Sequence, residues 1–278
     1  MGRGPAIKPE RSESSKDMTN IDKKSNLTTT PKAAQTAAGD KQHKARETVK
    51  PVKRGFVGHF FYHLGMFLTR HMIKLECRGC ENIPQGMPYL LAANHETYVD
   101  GMWIASFLPP HHFPHFASLA AQDLLSDHGW FGKVIMHVGR GVPLNRKGSP
   151  ARGLILAKQQ IDNGNILLVH PEGTRSHDGR LGEFENGACY LAQKANVPLV
   201  PVFIDGGYEV FNRYMTWPKG KDPKTGQKRR VIINYGQPLL PANFKSPKAM
   251  TEALSAWMHH MFENKVVPRD FSSLPKPV

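Results

Sequence analysis

The apolar positions of the chain change their spacing several times between residue 72 and the C-terminal region. Short continuous apolar runs bounded by turn residues are typical of buried strands, and apolar residues spaced three and four apart are typical of amphipathic helices. The short runs predict strands at 72–77, 88–93, 165–169, 198–204 and 231–236. The longer patterns predict helices near 98–108, 128–137, 150–163, 185–195 and 247–265.

The alternation of these strands and helices indicates the fold class. The ILLV run at 166–169 is apolar at every position, as in strands that are covered on both faces of their sheet. The sequence therefore predicts an α/β domain with helices on both sides of the sheet. In such sheets the functional groups gather in the loops that follow the strands.

A separate amphipathic pattern, GFVGHFFYHLGMFLTRHMI at 55–73, precedes the α/β region. Its apolar stripe consists of Val57, Phe60, Phe61, Leu64, Phe67 and Leu68, with His59, His63 and Arg70 on the other side. Preceded by Lys50, Lys53 and Arg54, such a helix suits a membrane interface. Packing of the stripe on the protein's own core is the alternative, and the sequence leaves both open. His59 and His63 have the spacing of metal ligands, but no third ligand is placed nearby, so we expect no metal.

The N-terminal region differs from the rest in composition. Residues 1–54 contain no Phe, Tyr, Trp or Cys, and their polar residues show no apolar period. Because such a segment cannot bury enough surface to offset its chain entropy, we predict a disordered basic tail at 1–54. The predicted amphipathic helix follows at 55–73, the α/β domain occupies 74–267, and a C-terminal tail occupies 268–278.

The formal charge of +14 favours an anionic partner, either a membrane surface or a nucleic acid. Aromatic and basic side chains are concentrated at 208–230, namely Tyr208, Phe211, Tyr214, Trp217, Lys219, Lys221, Lys224, Lys228, Arg229 and Arg230. This composition suits the headgroup level of a membrane, and also single-stranded nucleic acid. Because no recognised nucleic-acid motif accompanies it, we expect an anionic membrane and no nucleic acid. No window reaches 18 apolar residues, so we expect a peripheral protein.

The cysteines and one histidine-rich segment give little indication of special chemistry. Three cysteines, without a signal-peptide pattern near Met1, favour a reducing compartment. Cys77 and Cys80 have CxxC spacing, but no second pair completes a zinc site. The segment HHFPH at 111–115 is interrupted by proline, which favours a loop between a helix and a strand over a metal site.

The stretch NHETYVD, residues 94–100, follows a predicted strand and places His95 and Asp100 five positions apart. On a continuous helix these side chains would point to faces roughly 140° apart. If His95 lies in a turn and Asp100 begins a helix, the carboxylate can accept from one imidazole nitrogen and leave the other as a base. No GxSxG elbow supplies a serine nucleophile, so such a base would act on a substrate hydroxyl or a water. A turn histidine without catalytic function is the alternative.

A second candidate segment, HPEGTRS at 170–176, also follows a predicted strand. Pro171 stiffens the exit, Gly173 allows close backbone approach, Thr174 supplies a hydroxyl and Arg175 a planar fork suited to phosphate. Together they predict an anion cradle. A plain turn with Glu172 and Arg175 in a surface ion pair is the alternative.

These segments carry a family resemblance. NHETYVD resembles the NHxxxxD motif of the glycerolipid acyltransferases, the family that includes 1-acyl-sn-glycerol-3-phosphate acyltransferase. Three further blocks follow in that family's order: GRGVPLNR at 139–146, HPEGTRS at 170–176 and VPLVPV at 197–202. The resemblance covers roughly residues 72–240. It implies a single glycerol-3-phosphate-acyltransferase-like α/β domain with a mixed, mostly parallel sheet covered by helices.

The resemblance also implies roles for individual residues. His95, oriented by Asp100, would be the general base that activates the acceptor hydroxyl towards the thioester of acyl-CoA or acyl-carrier protein, with no metal and no prosthetic cofactor. The residues implied to hold or border the acceptor's glycerol phosphate are Arg146, Glu172, Gly173, Thr174, Arg175, Pro198 and Pro201. We therefore expect a peripheral membrane acyltransferase on the cytoplasmic side that acylates a lysophospholipid, foremost lysophosphatidic acid.

Several positions depart from the family pattern. Leu144-Asn145 replaces an Ile-Asp pair, Glu185-Asn186 replaces two lysines, and His170 replaces an aromatic residue before the proline. These changes leave the His95–Asp100 pair intact and concern the acceptor. Glycerol-3-phosphate or a phosphate-free lysolipid is thus an alternative acceptor, and a non-catalytic membrane-binding or nucleic-acid-binding protein is the alternative from another class.

Overall fold

A computed structural model describes residues 50–121, 129–144 and 150–269 of the chain. The helices are α1 (Gly55–Met72), α2 (Asp100–Ala105), α3 (Gly129–Val138), α4 (Pro150–Asp162), α5 (Gly187–Ala195), α6 (Gly207–Phe211) and α7 (Pro247–Glu263). The strands are β1 (Lys74–Arg78), β2 (Leu90–Ala93), β3 (Phe116–Ala121), β4 (Val142–Leu144), β5 (Ile166–Val169), β6 (Leu199–Asp205) and β7 (Arg230–Tyr235). The predicted tail at 1–49 lies outside the described residues.

The seven described strands form one sheet with the order β1-β7-β6-β2-β5-β3-β4. Strand β2 lies between β6 and β5 and is parallel to both. The pair β6–β7 is antiparallel, and the remaining neighbours are parallel. The predicted mixed, mostly parallel α/β sheet is confirmed. Because β2 and β5 are adjacent and parallel, the loops that follow them meet at one edge of the sheet.

Side chains alternate between the two faces of the sheet, and each face has its own apolar cluster. Leu91 and its neighbours pack with Trp103 of α2 on one face. Leu90 points the other way and packs with side chains of α4, α5 and α7, including Leu254. Burial on both faces explains why the strands of the sequence are continuously apolar.

Each predicted strand and helix is present, and no predicted end differs from the observed one by more than three residues. Three elements were missed: β3, β4 and α6. The sequence of β3, FASLAA, consists mainly of small residues that fit a helix equally well, and β4 has only three residues with a central proline. Helix α6 has five residues, too few to show a period.

Helix α1 packs on the domain through its less apolar side, which buries Gly58, Tyr62, Met66 and Thr69. Most of the predicted apolar stripe lies outward, with Phe56 beside it; the exposed residues are Phe56, Val57, Phe60, Leu64, Phe67 and Leu68. The alternative in which this stripe packs on the protein's own core is therefore wrong. None of the described helices is both long enough and apolar enough to cross a bilayer.

Arg54, which we grouped with the lysines before α1 as a membrane-facing cation, is buried instead. Its guanidinium donates to the carbonyl oxygens of Val138 and Phe113, at 3.0 and 2.9 Å. It also stacks over the Phe113 ring, 4.0 Å from the centroid. Arg54 therefore ties the start of α1 to the domain, while Lys53 is exposed.

Two other features differ from the sequence predictions. A disulfide links Cys77 in β1 to Cys80 just after the strand, although the composition favoured reduced cysteines. Arg269, placed in the predicted tail at 268–278, is buried against the domain. By contrast, the segment HHFPH is the predicted connection, and its His112 is a buried core histidine bonded to Tyr89.

Candidate active site

Asn94 fixes the end of β2 against β6. Its amide nitrogen donates to the carbonyl oxygen of Ile204 at 3.1 Å, and its amide oxygen accepts from the backbone nitrogen of Ile204 at 2.7 Å. The side chain thus imitates one more backbone pair of the sheet. The next residue, His95, leaves the sheet at this fixed point.

The turn after His95 brings Asp100 back to the imidazole. Asp100 is the first residue of α2, and its Oδ2 lies 2.9 Å from Nδ1 of His95. The Asp100 side chain is 1% exposed and that of His95 is 21% exposed. The sequence predicted that His95 lies in a turn after a strand and that Asp100 begins the next helix. The observed contact between a buried carboxylate and a partly exposed imidazole agrees with this prediction.

The Asp100 carboxylate is held by the turn itself. Oδ2 accepts from the backbone nitrogens of Glu96 and Thr97, and Oδ1 accepts from the Thr97 hydroxyl at 2.7 Å. Burial raises the pKa of Asp100, while His170 and these donors oppose the rise. Because a carboxylate with this many donors is an acceptor, the His95 proton is on Nδ1 and Nε2 is the nitrogen that can take a proton.

The HPEGTRS segment holds the backbone of His95 at both ends. Oε1 of Glu172 accepts from the backbone nitrogen of His95 at 3.0 Å, and the backbone nitrogen of Ser176 donates to the His95 carbonyl at 2.7 Å. The second Glu172 oxygen accepts from the backbone nitrogen of Gly182 at 2.7 Å. Burial raises the pKa of Glu172 to about 7, against these hydrogen bonds.

Glu172 was predicted to contact the acceptor, and that role stays a prediction. Both of its carboxylate oxygens accept from backbone nitrogens, so the side chain joins two loops at the edge of a cleft that it also lines. The alternative ion pair with Arg175 is not formed either, because Arg175 bonds to Tyr98 instead. The hydroxyl of Ser176 is also engaged, with Arg180 and Gly179, and is not placed as a nucleophile.

Gly173, Thr174 and Arg175 lie beside a cleft of about 660 Å³ that extends along residues 172–186. Gly173 has a positive φ of 68°, and its nitrogen closes a turn onto the His170 carbonyl at 3.0 Å. The Arg175 guanidinium lies 3.5 Å over the Tyr98 ring and donates from Nη2 to the Tyr98 hydroxyl at 2.7 Å. Its Nη1 is buried and has no hydrogen-bond partner among the described residues. A guanidinium with one unused donor suits an incoming anion.

Three further residues, Arg146, Pro198 and Pro201, were predicted to hold or border the acceptor. Arg146 lies outside the described residues. Pro198 is at the start of β6, where its carbonyl accepts from the nitrogen of Leu90, so it is at the end of β2 remote from His95. Pro201 pairs with Ala92 inside the sheet and is buried. Both prolines shape the sheet rather than the wall of the cleft.

His170 stacks on His95, a contact that the sequence did not indicate. The ring centroids are 3.8 Å apart and the planes differ by 10°. His95, Asp100 and His170 bring three potential metal ligands within 4.8 Å of one another. Parallel rings, however, direct their nitrogen lone pairs along separate planes, and the Asp100 oxygens already accept from several donors. This arrangement does not suit a metal ion.

A buried ionic network supports the same loop from behind. Glu96, next to His95, accepts from the backbone nitrogen of Tyr208 at 2.8 Å and from the Arg269 guanidinium at 2.5 Å. Arg269 also donates to Glu209 at 3.0 Å. The sequence did not predict this network, because Arg269 is 173 positions from Glu96 and no local pattern links them.

Comparison with known proteins agrees with the fold and the motifs. Residues 74–205 match the family described as Acyltransferase. By structure the chain is similar to the 1-acyl-sn-glycerophosphate acyltransferase PlsC of Thermotoga maritima, with a TM-score of 0.58, 24% identity, and coverage of 76% of this chain and 81% of that one. This likeness concerns the fold alone.

Sequence relatives carry the same name. A Mycoplasma pneumoniae protein named "Probable 1-acyl-sn-glycerol-3-phosphate acyltransferase" is 30% identical, over 70% of this chain and 72% of that one. The alpha 1-acyl-sn-glycerol-3-phosphate acyltransferase of Ovis aries is 31% identical, over 48% of this chain and 45% of that one. The chain thus spans about half the length of the mammalian relatives it matches. It belongs to the acyltransferase family of the glycerolipid enzymes.

Proposed function

We propose that this protein transfers a fatty acyl group from an acyl thioester, acyl-CoA or acyl-carrier protein, to the hydroxyl of a lysophospholipid. The acceptor is foremost 1-acyl-sn-glycerol-3-phosphate, which would give phosphatidic acid. The observation that carries this proposal is the His95–Asp100 pair, 2.9 Å apart, beside a loop that presents Arg175. The names of the relatives support the choice of acceptor.

The geometry supports a direct transfer. Nε2 of His95 takes the proton of the acceptor hydroxyl as its oxygen bonds to the thioester carbonyl carbon. The resulting tetrahedral intermediate then collapses, the carbon–sulfur bond breaks, and the proton passes from His95 to the departing thiolate. Asp100 stabilises the imidazolium in between, because its carboxylate is fixed against Nδ1. General-base assistance of this kind contributes about 10²–10⁴-fold.

The acceptor phosphate would bind at Arg175 and Thr174. Arg175 is already oriented by Tyr98 and has its buried Nη1 to offer. The adjacent Thr174 side chain is exposed on the same cleft. A phosphate there would supply the acceptor that this guanidinium nitrogen lacks within the described part of the chain.

A membrane surface is the third part of the proposal. The outward stripe of α1 includes Phe56 and Phe67, 85% and 67% exposed, and Trp130 of α3 is 70% exposed. Phe61 joins the two helices, with its ring centroid 6.5 Å from that of Trp130. Such a patch on one side of the domain suits peripheral binding to the cytoplasmic face of an anionic membrane, where both substrates of the proposed reaction would be reached.

The experiment is a product analysis with purified protein, acyl-CoA or acyl-carrier protein, and a panel of lysolipids. We expect diacyl product foremost from lysophosphatidic acid. His95→Ala should lose at least 10²-fold in kcat, while His259→Ala, an exposed histidine on α7, should retain wild-type activity. Absence of product from every acceptor, or full activity of His95→Ala, would contradict the proposal.

A second acceptor class is favoured by the acidic side chains along the cleft. Glu183 and Glu185 line it, and Oε1 of Glu185 lies 3.7 Å from the position of a Cβ at Gly173. Carboxylates there oppose a phosphate and admit a neutral or amine-bearing acceptor. Arg175→Ala separates the two: a loss confined to phosphate-bearing acceptors supports phosphate recognition, and an equal effect on all acceptors supports the second class.

A further inference from the structure

The stacked pair of His95 and His170 is built from two strand ends. His95 follows β2 and His170 follows β5, and the adjacent, parallel strands bring the two residues to the same edge of the sheet. The rings overlap at 3.8 Å with planes only 10° apart. Nothing in the proposed proton transfer uses His170, so its close contact with the base needs an explanation of its own.

The backbone anchors His170 in this position. Its Nδ1 lies 3.0 Å from the carbonyl oxygen of Ala93 and 3.1 Å from that of Asn94. Because both partners are acceptors, Nδ1 carries the hydrogen. Burial lowers the pKa of His170 to about 3, and the neighbouring His95 contributes to this. The ring is therefore neutral and has a fixed orientation at physiological pH.

The contact between Nδ1 of His95 and Asp100 fixes one atom of the catalytic imidazole. A single hydrogen bond at Nδ1 tolerates some tilt of the ring about its Cβ–Cγ bond, and such a tilt would move Nε2 away from the acceptor hydroxyl. A flat ring against its face removes this freedom. We propose that His170 is a positioning residue, a backbone-anchored platform that holds the plane of the His95 ring for proton transfer. This inference rests on the function proposed above.

Other functions for His170 fit less well. A second general base would need a pKa near the working pH, whereas the pKa of the half-buried His170 is lowered to about 3 and its Nδ1 is bonded to the backbone. Among the described residues, the titratable groups that contact His95 include Asp100 at Nδ1, His170 on the ring and Glu172 at the backbone nitrogen. A neutral His170 lets the His95 imidazolium form without repulsion from a second cation.

The kinetic test compares His170→Ala, which removes the platform, with His170→Phe, which keeps a flat ring but loses the hydrogen bonds. We expect His170→Ala to lower kcat about 10- to 100-fold, since misplacement of a reacting group has effects of this size, with little change in KM. His170→Phe should recover most of kcat. His112→Ala removes another buried, hydrogen-bonded histidine. It should reduce Tm without the roughly 10- to 100-fold fall in kcat.

The pH profile adds a readout that loss of stability alone would not change. The face of a phenyl ring attracts an imidazolium, so the acid limb of kcat/KM should move to higher pH in His170→Phe. In His112→Ala it should stay at the wild-type position. Wild-type kcat in His170→Ala, or equal damage in His170→Phe and His170→Ala, would overturn the proposal.

A substrate-free measurement separates this inference from the proposed function. In histidine-labelled full-length protein, the ring-current shift of the His95 signals should disappear in His170→Ala and return in large part in His170→Phe. His170 should also report a neutral ring with hydrogen on Nδ1 at pH 6. Unchanged His95 signals in His170→Ala would overturn the platform even if another acceptor proved to be the substrate.

Discussion

Glu172 shows how one side chain of a motif can act entirely through the backbone. Its carboxylate accepts from the backbone nitrogens of His95 and Gly182. Gly182 is ten positions and His95 is 77 positions from Glu172 in the sequence. Besides the stacked ring of His170, the base is thus held by hydrogen bonds with Asp100 at its ring and with Glu172 and Ser176 at its peptide groups. Loss of any one of them should reduce activity without removing a group that touches the substrate.

The raised pKa of Glu172 predicts a pH dependence of stability. Burial moves the pKa from the usual 4.5 to about 7, so the folded protein keeps a proton that the unfolded chain releases between these values. Its contribution to stability is complete below about pH 4.5 and is lost as the pH rises through 7, by on the order of 3 kcal/mol at most. Glu172→Gln cannot ionise, so it should gain stability relative to wild type between pH 5 and pH 8.

Urea unfolding at the two pH values measures this difference. Glu76→Gln is a matched control, because the hydrogen bond from Arg230 lowers the pKa of Glu76 and its titration falls below this window. The control should show no relative gain between pH 5 and pH 8. If wild type and Glu172→Gln changed in parallel, the Glu172 carboxyl would not titrate near pH 7.

At the level of single residues, the sequence predicted the His95–Asp100 contact, because it depends on chemistry within a few residues. The anion cradle at Arg175 stays a prediction. The contact of Glu172 with Gly182 could not be predicted, since Gly182 lies on a separate loop. His170 was noted as a departure from the family, but its stacking on His95 depends on strand order. Contacts within one loop can be predicted from its residue types, whereas contacts between loops can be predicted only when the order of the strands is known.

The elements were predicted where the apolar pattern is strong. Strands β2, β5 and β6 are continuously apolar because both faces of the sheet are covered. Short or alanine-rich elements such as β3 and α6 carry too weak a pattern, and their formation depends on neighbours in the sheet and on the loop before them. The C-terminal boundary was misplaced for a related reason, since Arg269 has long-range partners only.

Arg269 connects the C-terminal segment to two other elements of the domain. It ties the segment after α7 to Glu96 behind the catalytic loop and to Glu209 in α6, with its own side chain 1% exposed. Arg269→Met would leave two buried carboxylates without their cation, and removal of one partner of a buried pair destabilises by about 3–5 kcal/mol. Urea unfolding should detect this loss, and kcat should fall because Glu96 adjoins His95.

Arg230→Met is the matched control for this variant. Arg230 makes the same kind of bidentate contact with Glu76, at 3.0 and 2.8 Å, but both side chains are well exposed. Exposed pairs contribute about 0–1 kcal/mol. Equal losses in the two variants would show that the buried network does not hold the C-terminal segment.

The whole molecule has one side on which exposed apolar residues concentrate. Helix α1 attaches to the domain through Tyr62 and Met66 and presents its phenylalanines outward. Gly220, in the aromatic and basic segment at 208–230, packs against the carbonyl of Met72 at the end of α1. Tyr208 and Phe211 of that segment, which were predicted at the headgroup level, are buried in the core instead, whereas Trp217 is 79% exposed. The stripe and the cationic loop are therefore neighbours, as an anionic membrane would require.

This arrangement predicts the effect of removing apolar side chains from α1. In sedimentation with vesicles of phosphatidylcholine and phosphatidic acid, the double variant Phe56→Ser and Phe67→Ser should bind at least tenfold more weakly, because each buried aromatic contributes about 1.5–3 kcal/mol. Its Tm should be unchanged, since both residues are exposed in the free protein. Ile155→Ser, at an apolar residue on α4 that is 55% exposed, is the control and should bind like wild type.

Salt separates the two contributions to membrane binding. Attraction between the +14 chain and anionic lipid weakens as salt rises, whereas burial of Phe56 and Phe67 does not. The double variant should therefore lose its remaining vesicle binding at about 0.5 M salt, where wild type retains a measurable part. If instead the double variant and Ile155→Ser bound equally at every salt concentration, the outward stripe of α1 would not be the surface that meets the membrane.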